Sequence, residues 1–400
     1  MPKEFINVGG YFYKIYNKPE SDKSENKTIE IRTKDAVKHE LIVNNMSPSS
    51  IYKIPLYNAF IFLPSHVDYE QTYRECYNVY FELTHKIEAG TWENIELFLK
   101  HMFQEQYEVI LDYFQLLYLQ PMQKLPILCL VSKKKSTGKT TFINFIHSVF
   151  QSNVLSLTSE DFDSQFNAEW AGKLFLCLEE IKFEDKKVIN KLKTLSTGKR
   201  ISIQKKTIDQ KSQQFYSKII INSNHEDDFI KLEDTDNRFW VRDVKEYETE
   251  DVYLESNMEK EIPHFLCYLK TRSMVYENKT RFWFDQEVTY TDALQRVVLA
   301  SKPKIESIVA HALISAMDYL DSNEIQVSPS DISNLLGGSG KRTTDSEVRR
   351  MLKNNWNFKP TDNTQSYQKV TKSLDGSFSI TRSKGRYYTI DREYLEENFK

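Results

Sequence analysis

The stretch Leu128-Cys129-Leu130-Val131-Ser132-Lys133-Lys134-Lys135-Ser136-Thr137-Gly138-Lys139-Thr140-Thr141-Phe142 decides the fold. Its first four residues are apolar without alternation, the pattern of a strand buried on both faces. A polar loop follows and ends in Gly138-Lys139-Thr140-Thr141, after which Phe142 to Phe150 restores apolar residues at helical spacing. Strand, loop and helix in that order turn the Gly-Lys-Thr match into a phosphate-binding loop. Ser136, Thr137, Gly138, Lys139, Thr140 and Thr141 are its candidate binding residues, with loop N–H groups and the helix N-terminus holding phosphate oxygens. Lys139 would pair with β- and γ-phosphates, and the Thr140 hydroxyl would reach Mg²⁺. One position departs from the usual pattern: five residues before Gly138, where glycine is customary, the chain has Lys133.

Four hundred residues suffice for two to four domains with their own cores. A net charge of −3 and a pI near 6.3 argue for no particular partner, so a nucleic-acid surface has to be local. Cys76, Cys129, Cys177 and Cys267 stand isolated without metal-ligand spacing and read as core thiols of a reducing compartment. No apolar run reaches 18 residues and no leader pattern opens the chain, which argues against secretion and membrane spanning.

Residues 1–90 mix short β-like runs with Asn, Ser and Pro breaks and show no catalytic constellation. From Thr91, a candidate helix cap, Ile95, Phe98, Leu99, Met102 and Phe103 recur at helical spacing, and a second helix runs from about Gln106 to Leu119. Beyond the phosphate loop, Val154 to Thr158 reads as a second strand, with Ser159 capping a short helix. Lys173 to Leu178 is another apolar run, and it ends in Glu179-Glu180. The C-terminal end of a parallel strand faces the ligand crevice. Glu179 would therefore join the Mg²⁺ shell, and Glu180 would orient or deprotonate the attacking water. Val188 to Leu195 is helical, with Gly198 as its stop. Lys199 to Thr207 then alternates and Phe215 opens a second extended run, a hairpin with Lys205 and Lys206 near its tip. Between Lys199 and Lys218 lie six Lys/Arg against the single Asp209, a basic excess suited to a nucleic-acid backbone. The apolar run Lys218 to Ile221 ends in amides, of which Asn224, with Asn222 as the fallback, would hydrogen-bond the γ-phosphate or position the lytic water. Arg238 follows an acidic loop, and a guanidinium lent to a neighbouring site stabilises transition-state charge.

This order of motifs resembles the superfamily 3 helicases, AAA+ ring motors of viruses, phages and plasmids, and in particular the helicase half of phage and mobile-element primase–helicases. Lys139 and Thr140 match that family's Walker A lysine and Mg²⁺ hydroxyl, Glu179 and Glu180 its Walker B pair, Asn224 its motif C asparagine, and Arg238 its arginine finger. The segment Leu192 to Lys206 is similar to the family's DNA-contacting hairpin. The resemblance covers roughly residues 91–242. It implies ATP and Mg²⁺ as cofactors and an α/β AAA+-type core with a mostly parallel sheet. It further implies a homo-hexamer or other ring on single-stranded or forked DNA in the cytoplasm of a bacterial host cell. Residues 1–90 lack primase-type acidic pairs, so a primase acting with this chain would lie elsewhere.

In the carboxy-terminal part, Met258 to Met274 is expected as a helical lid and 276–302 as a linker. Helices over Lys304 to Tyr319, Asp331 to Leu336 and Ser346 to Trp356 precede an expected hairpin around Lys384-Gly385. Three helices and a basic hairpin predict a winged-helix module over 303–400, with Arg382, Lys384 and Arg386 on the wing. The organisation expected is thus a mixed region over 1–90, a helical collar over 91–122, a nucleotide-binding core over 123–275 and that module. The function expected is an ATP-dependent replicative DNA helicase. The alternative is a replication initiator or loader that binds DNA through the winged helix and uses nucleotide as a conformational switch.

Overall fold

A computed structural model describes the chain except residues 1–3, 20–24, 165–166, 168, 181, 184, 206–207, 234–235, 248–250, 302–303, 337–343, 374–376 and 400, and the side chains of 171, 204–205, 208–211 and 304. It forms two compact units, Met1–Val297 and Val298–Lys400.

In the first unit, helices α1 (Glu93–Phe103) and α2 (Tyr107–Leu119) lead into a sheet of β1 (Ile127–Val131), β2 (Val154–Leu157), β3 (Phe175–Leu178), β4 (Lys218–Ser223) and β5 (Phe239–Asp243). The strand order is β5-β1-β4-β3-β2, and every pairing is parallel. Helix α3 (Lys139–Phe150) follows β1, and α4 (Lys186–Thr197) follows β3. Beyond β5 come α5 (Leu254–Thr271), with Pro263 inside it, and α6 (Asp292–Ser301). Strands β1, β3 and β4 are buried throughout, as continuous apolar runs between layers must be. Helix α2 is buried from Val109 to Tyr118, apolar nearly all round, and so sits inside the unit instead of on its surface. Phe98, Phe114, Phe142, Phe145 and Phe265 meet edge-on or tilted at its centre, joining α1, α2, α3 and α5 into one core.

The segment ahead of α1 has a sheet and apolar clusters of its own within this unit. Strands Phe5–Val8, Tyr11–Pro19 and Glu25–Arg32 form an antiparallel meander that Leu56–Tyr57 joins in parallel, beside helix Lys34–Val43. Docking runs through the fully buried Asn153, whose side chain bonds the N–H and C=O of Phe81 at 2.9 and 2.8 Å.

Three polar ties fix the helices. Asp112 on α2, fully buried, accepts from Arg272 at 2.5 Å and from the Val275 and Tyr276 N–H groups at 3.0 and 2.7 Å. Arg242 on β5 binds Glu105, Gln106 Oε1 and the Phe103 carbonyl. Glu261 on α5 accepts the N–H groups of Asn94 and Ile95 at 3.3 and 3.0 Å. This last contact corrects the expected Thr91 cap. The N-cap is Trp92, which offers no side-chain oxygen, and a carboxylate from α5 serves the free N–H groups instead. Thr158 in place of Ser159 caps the short helix Ser159–Asp163 through a capping box with Asp161. Within the segment expected as a linker, helices run over Gln286–Thr289 and α6, and Thr291 donates to the Val241 carbonyl of β5 at 2.6 Å.

The second unit runs helix Lys304–Leu320, strand Glu324–Val327, helix Pro329–Leu335, helix Asp345–Arg350 with a π-type turn Met351–Asn355, strands Gln365–Lys372, Phe378–Gly385 and Tyr388–Asp391, and helix Arg392–Phe399. Here the hairpin expectation is corrected. Phe378–Gly385 is one unbroken strand paired antiparallel to Gln365–Lys372, so Lys384-Gly385 is not its turn; at the other end of the ladder the Ser373 N–H donates to the Ser377 carbonyl at 2.9 Å. Lys384 and Gly385 pair with Ser366 and Gln365 at the far end of that ladder. Tyr388–Asp391 leaves it to pair with Glu324–Val327.

Burial pushes the Lys124 and Lys173 ammonium groups down to about 8. Unfolded lysine titrates near 10.4, so the unfolded chain binds more protons between those values and stability rises with pH across that window. We expect denaturation midpoints to rise from pH 8 to about 9.5, and Lys124→Met/Lys173→Met to flatten the slope.

Candidate functional site

Parallel strands end on the same side, so β1, β3 and β4 deliver their C-termini together. Register places Ser223 of β4 beside Val131 of β1, and Leu178 of β3 beside Ile221 of β4. The loop that carries Gly138 and Lys139 therefore leaves β1 next to Asn222–Asn224, with Glu179 and Glu180 one strand further on.

The loop turns on two left-handed residues, Ser136 at φ 51° and Gly138 at φ 91°. A Cβ at Gly138 would come within 3.1 Å of Met102 Sδ and of a Tyr247 ring carbon, so glycine is required by conformation and by space. The Tyr247 N–H donates to the Ser136 carbonyl at 3.2 Å and its ring stacks on His101, which straps the loop to the end of α1. Lys133 is not among the left-handed residues. The backbone there has no need of glycine, which explains the departure from the usual pattern.

Lys139 is the first residue of α3 and is buried, its Nζ 3.1 Å from the Ser132 carbonyl and 3.5 Å from Thr137 Oγ1. Among the described residues it has no carboxylate at ion-pair distance. Burial lowers its pKa, while the charges of Glu226 and Glu180 raise it. An anion at this point would restore what desolvation removes. Thr140 is exposed, Thr141 half-buried and Thr137 buried. The side-chain amide of Asn222 donates to the Lys139 carbonyl at 2.8 Å, pinning the start of α3 to β4, and its buried oxygen has no partner. Asn224, two residues on, is exposed past the end of β4. Of the two amides weighed from sequence, one is thus a buried strut and the other stands open.

Glu179 is half-buried, and burial, helped by the charge of Glu180, raises its pKa. Glu180 is exposed and left-handed at φ 53°, a conformation that turns the chain sharply away from the sheet. Lys139, Glu179, Glu180, Asn222 and Asn224 therefore share one end of the sheet with a left-handed loop and a helix N-terminus. A donor set of buried ammonium, helix N–H groups, a threonine hydroxyl and two carboxylates fits a nucleotide phosphate with a divalent cation.

Arg238 lies elsewhere. It precedes β5, and its carbonyl accepts from the N–H of Ile127, the first residue of β1. That is the opposite end of the sheet from the loop, across the whole five-residue length of β1. Its Nη1 pairs with buried Asp236 at 2.8 Å, Asp236 also pairs with Lys193 of α4 at 2.7 Å, and Arg238 Nε is buried without a partner.

Arg200–Lys205 and Ile208–Gln214 form an antiparallel hairpin, so the second extended run starts at Ile208 and not at Phe215. Lys205 ends its first strand, and Lys206 lies outside the described residues. Lys124 clamps the hairpin base by donating to the carbonyls of Gly198 and Phe215 at 2.6 and 3.1 Å. In the second unit, Arg382 and Lys384 are exposed on alternate positions of one strand, while Arg386 donates to the Thr361 carbonyl at 2.7 Å. Sequence reasoning missed Tyr247 and Glu226, which touch the loop from distant segments without any local spacing signal.

Residues 130–242 match a protein family described as one of unknown function (DUF5906). A DNA primase-polymerase of Nitratiruptor phage NrS-1 is 33% identical over 113 residues, 27% of this chain and only 16% of that relative's length. Two apo structures of the NrS-1 C-terminal region share the fold nearly end to end. One has TM-score 0.65 at 15% identity, covering 94% of this chain and 95% of its own. The other has TM-score 0.65 at 16% identity, covering 97% of each. The likeness of fold therefore spans both units.

Asn222→Ala removes the side-chain donor that the Lys139 carbonyl has in addition to the helical N–H of Ile143. We expect a loss of about 0.5–1.5 kcal/mol in unfolding free energy by chemical denaturation. A loss below about 0.5 kcal/mol would show that water replaces the amide.

Proposed function

We propose that the chain is an ATP-dependent DNA helicase of a phage or mobile element, a superfamily 3 type motor that assembles as a ring. What supports this reading is placement: the loop, the carboxylates and the amides lie at one end of the sheet and Arg238 at the other, too far to serve its own loop. A ring of copies would bring the two ends together, and a hexamer is the ring size we favour. The match to part of a DNA primase-polymerase supports a replication setting.

In this reading Lys139 holds β- and γ-phosphate oxygens, while the N–H groups from Ser136 to Thr141 surround the phosphates. Thr140 and Glu179 hold Mg²⁺, which supplies charge neutralisation at the phosphates when bound. Glu180 takes the proton of the attacking water, and Asn224 hydrogen-bonds the γ-phosphate. Arg238 enters the neighbouring subunit's site, where such fingers contribute about 10³–10⁵ in rate. Lys205 and Lys206 grip single-stranded DNA in the channel. The element order of the second unit, helix-strand-helix-helix followed by strands, suits a winged helix whose strand carries Arg382 and Lys384, with Arg386 beyond it.

Purified protein is expected to hydrolyse ATP faster with single-stranded DNA, and Lys139→Ala to lower that rate at least about 100-fold. Stimulated hydrolysis that survives Lys139→Ala would overturn the proposal. Tight ATP binding with almost no turnover on DNA would favour the initiator or loader, in which nucleotide acts as a switch.

A further inference from the structure

Lys133 stands where the usual loop has glycine, and one carboxylate holds it twice. Glu226 accepts the Lys133 backbone N–H at 2.8 Å and pairs with Lys133 Nζ at 3.1 Å. Glu226 lies three residues past the end of β4 and two past Asn224, so this contact links the loop's first residue to the segment carrying the open amide. The anchor is itself braced. Asp227 approaches Lys133 Nζ at 3.8 Å and pairs with Arg296 of α6 at 3.0 Å, and Arg296 also holds Asp243 at the end of β5 at 2.5 Å. Hydrogen bonding from the Lys133 backbone N–H, followed by its ammonium, holds the Glu226 carboxyl below the usual range, so it is charged at neutral pH.

We infer that Glu226 is a positioning residue for the phosphate loop, fixing its entry through the Lys133 backbone N–H and ammonium. This rests on the nucleotide reading above. The Lys133 side chain is 66% exposed, so its ion pair alone is weak; the charge-assisted bond to the backbone N–H is the stronger part. The pair also turns the Lys133 ammonium toward Glu226 and Asp227, which leaves Lys139 as the buried cation of the loop. Glu226 touches the loop and not the reacting atoms, so its removal should weaken binding without slowing chemistry.

The test uses the full chain with ATP, ADP and single-stranded DNA. Glu226→Ala is expected to raise the Kd for ADP and the KM for ATP about tenfold, the scale of one charge-assisted hydrogen bond, with kcat within about twofold. Glu226→Gln keeps an acceptor for the N–H and should raise Kd less than about threefold. Adding Lys133→Gly to Glu226→Ala should weaken binding no further. In nucleotide-free protein, amide exchange over 132–138 should quicken in Glu226→Ala and stay near wild type in Glu226→Gln, at an unchanged unfolding midpoint. Wild-type exchange together with wild-type Kd in Glu226→Ala would overturn the inference. So would a fall in kcat at constant KM. Wild-type protein that binds no nucleotide would sink the functional proposal instead, and the exchange measurement would still decide whether Glu226 positions the loop.

Discussion

The hydrogen bond from Asn222 to the Lys139 carbonyl depends on β4 lying between β1 and β3, and that strand order is the constraint on which the rest of the site depends. An intervening strand brings an amide to the first turn of α3 and sets the Glu179-Glu180 pair one strand away from the loop. With β1 and β3 adjacent, the carboxylates would crowd the loop and no strand would carry Asn222 or Asn224 between them. Parallel pairing does the rest, because all three strands release their chains on the same side.

Buried polar groups hold this arrangement rigid at a cost in desolvation that only full pairing offsets. Asp112 satisfies a guanidinium and two N–H groups at once, so the chain leaving α5 is fixed against α2. Arg242 serves β5 in the same way through Phe103, Glu105 and Gln106. Both arginines are therefore structural, although the Nε of Arg242, like that of Arg238, is buried without a partner. Lys218 is buried completely, donating to the carbonyls of Pro121 and Tyr216, which locks β4 to the turn before β1. The ends of β1 are thus tied on both sides, at Lys139 and at Pro121.

The parts of this fold that were legible in the sequence are those whose signal is local. Continuous apolar runs announced β1, β3 and β4, and the Gly-Lys-Thr after the first of them announced the loop, because burial on two faces and a left-handed turn leave marks at fixed spacing. Non-local contacts left none. Glu261 caps α1 from more than 160 residues away, so Thr91 looked like the cap. Glu226 reads as one acid in the run His225-Glu226-Asp227-Asp228 until the fold sets it against Lys133. The strand Phe378–Gly385 ends in Lys384-Gly385, a pair that resembles a turn, and only its partner Gln365–Lys372 shows that the ladder continues through it. Arg238 was placed by its position after an acidic loop, but its location at the far end of the sheet is a consequence of topology.

The central claim is that one copy's Arg238 completes another copy's site. Lys139→Ala retains the arginine and loses the loop; Arg238→Ala retains the loop and loses the arginine. Each alone should show almost no DNA-stimulated ATP hydrolysis. Mixing the two should restore a fraction of wild-type activity, because intact loops then sit beside intact arginines. Mixed assemblies that stay as inactive as either variant alone would contradict a site shared between subunits.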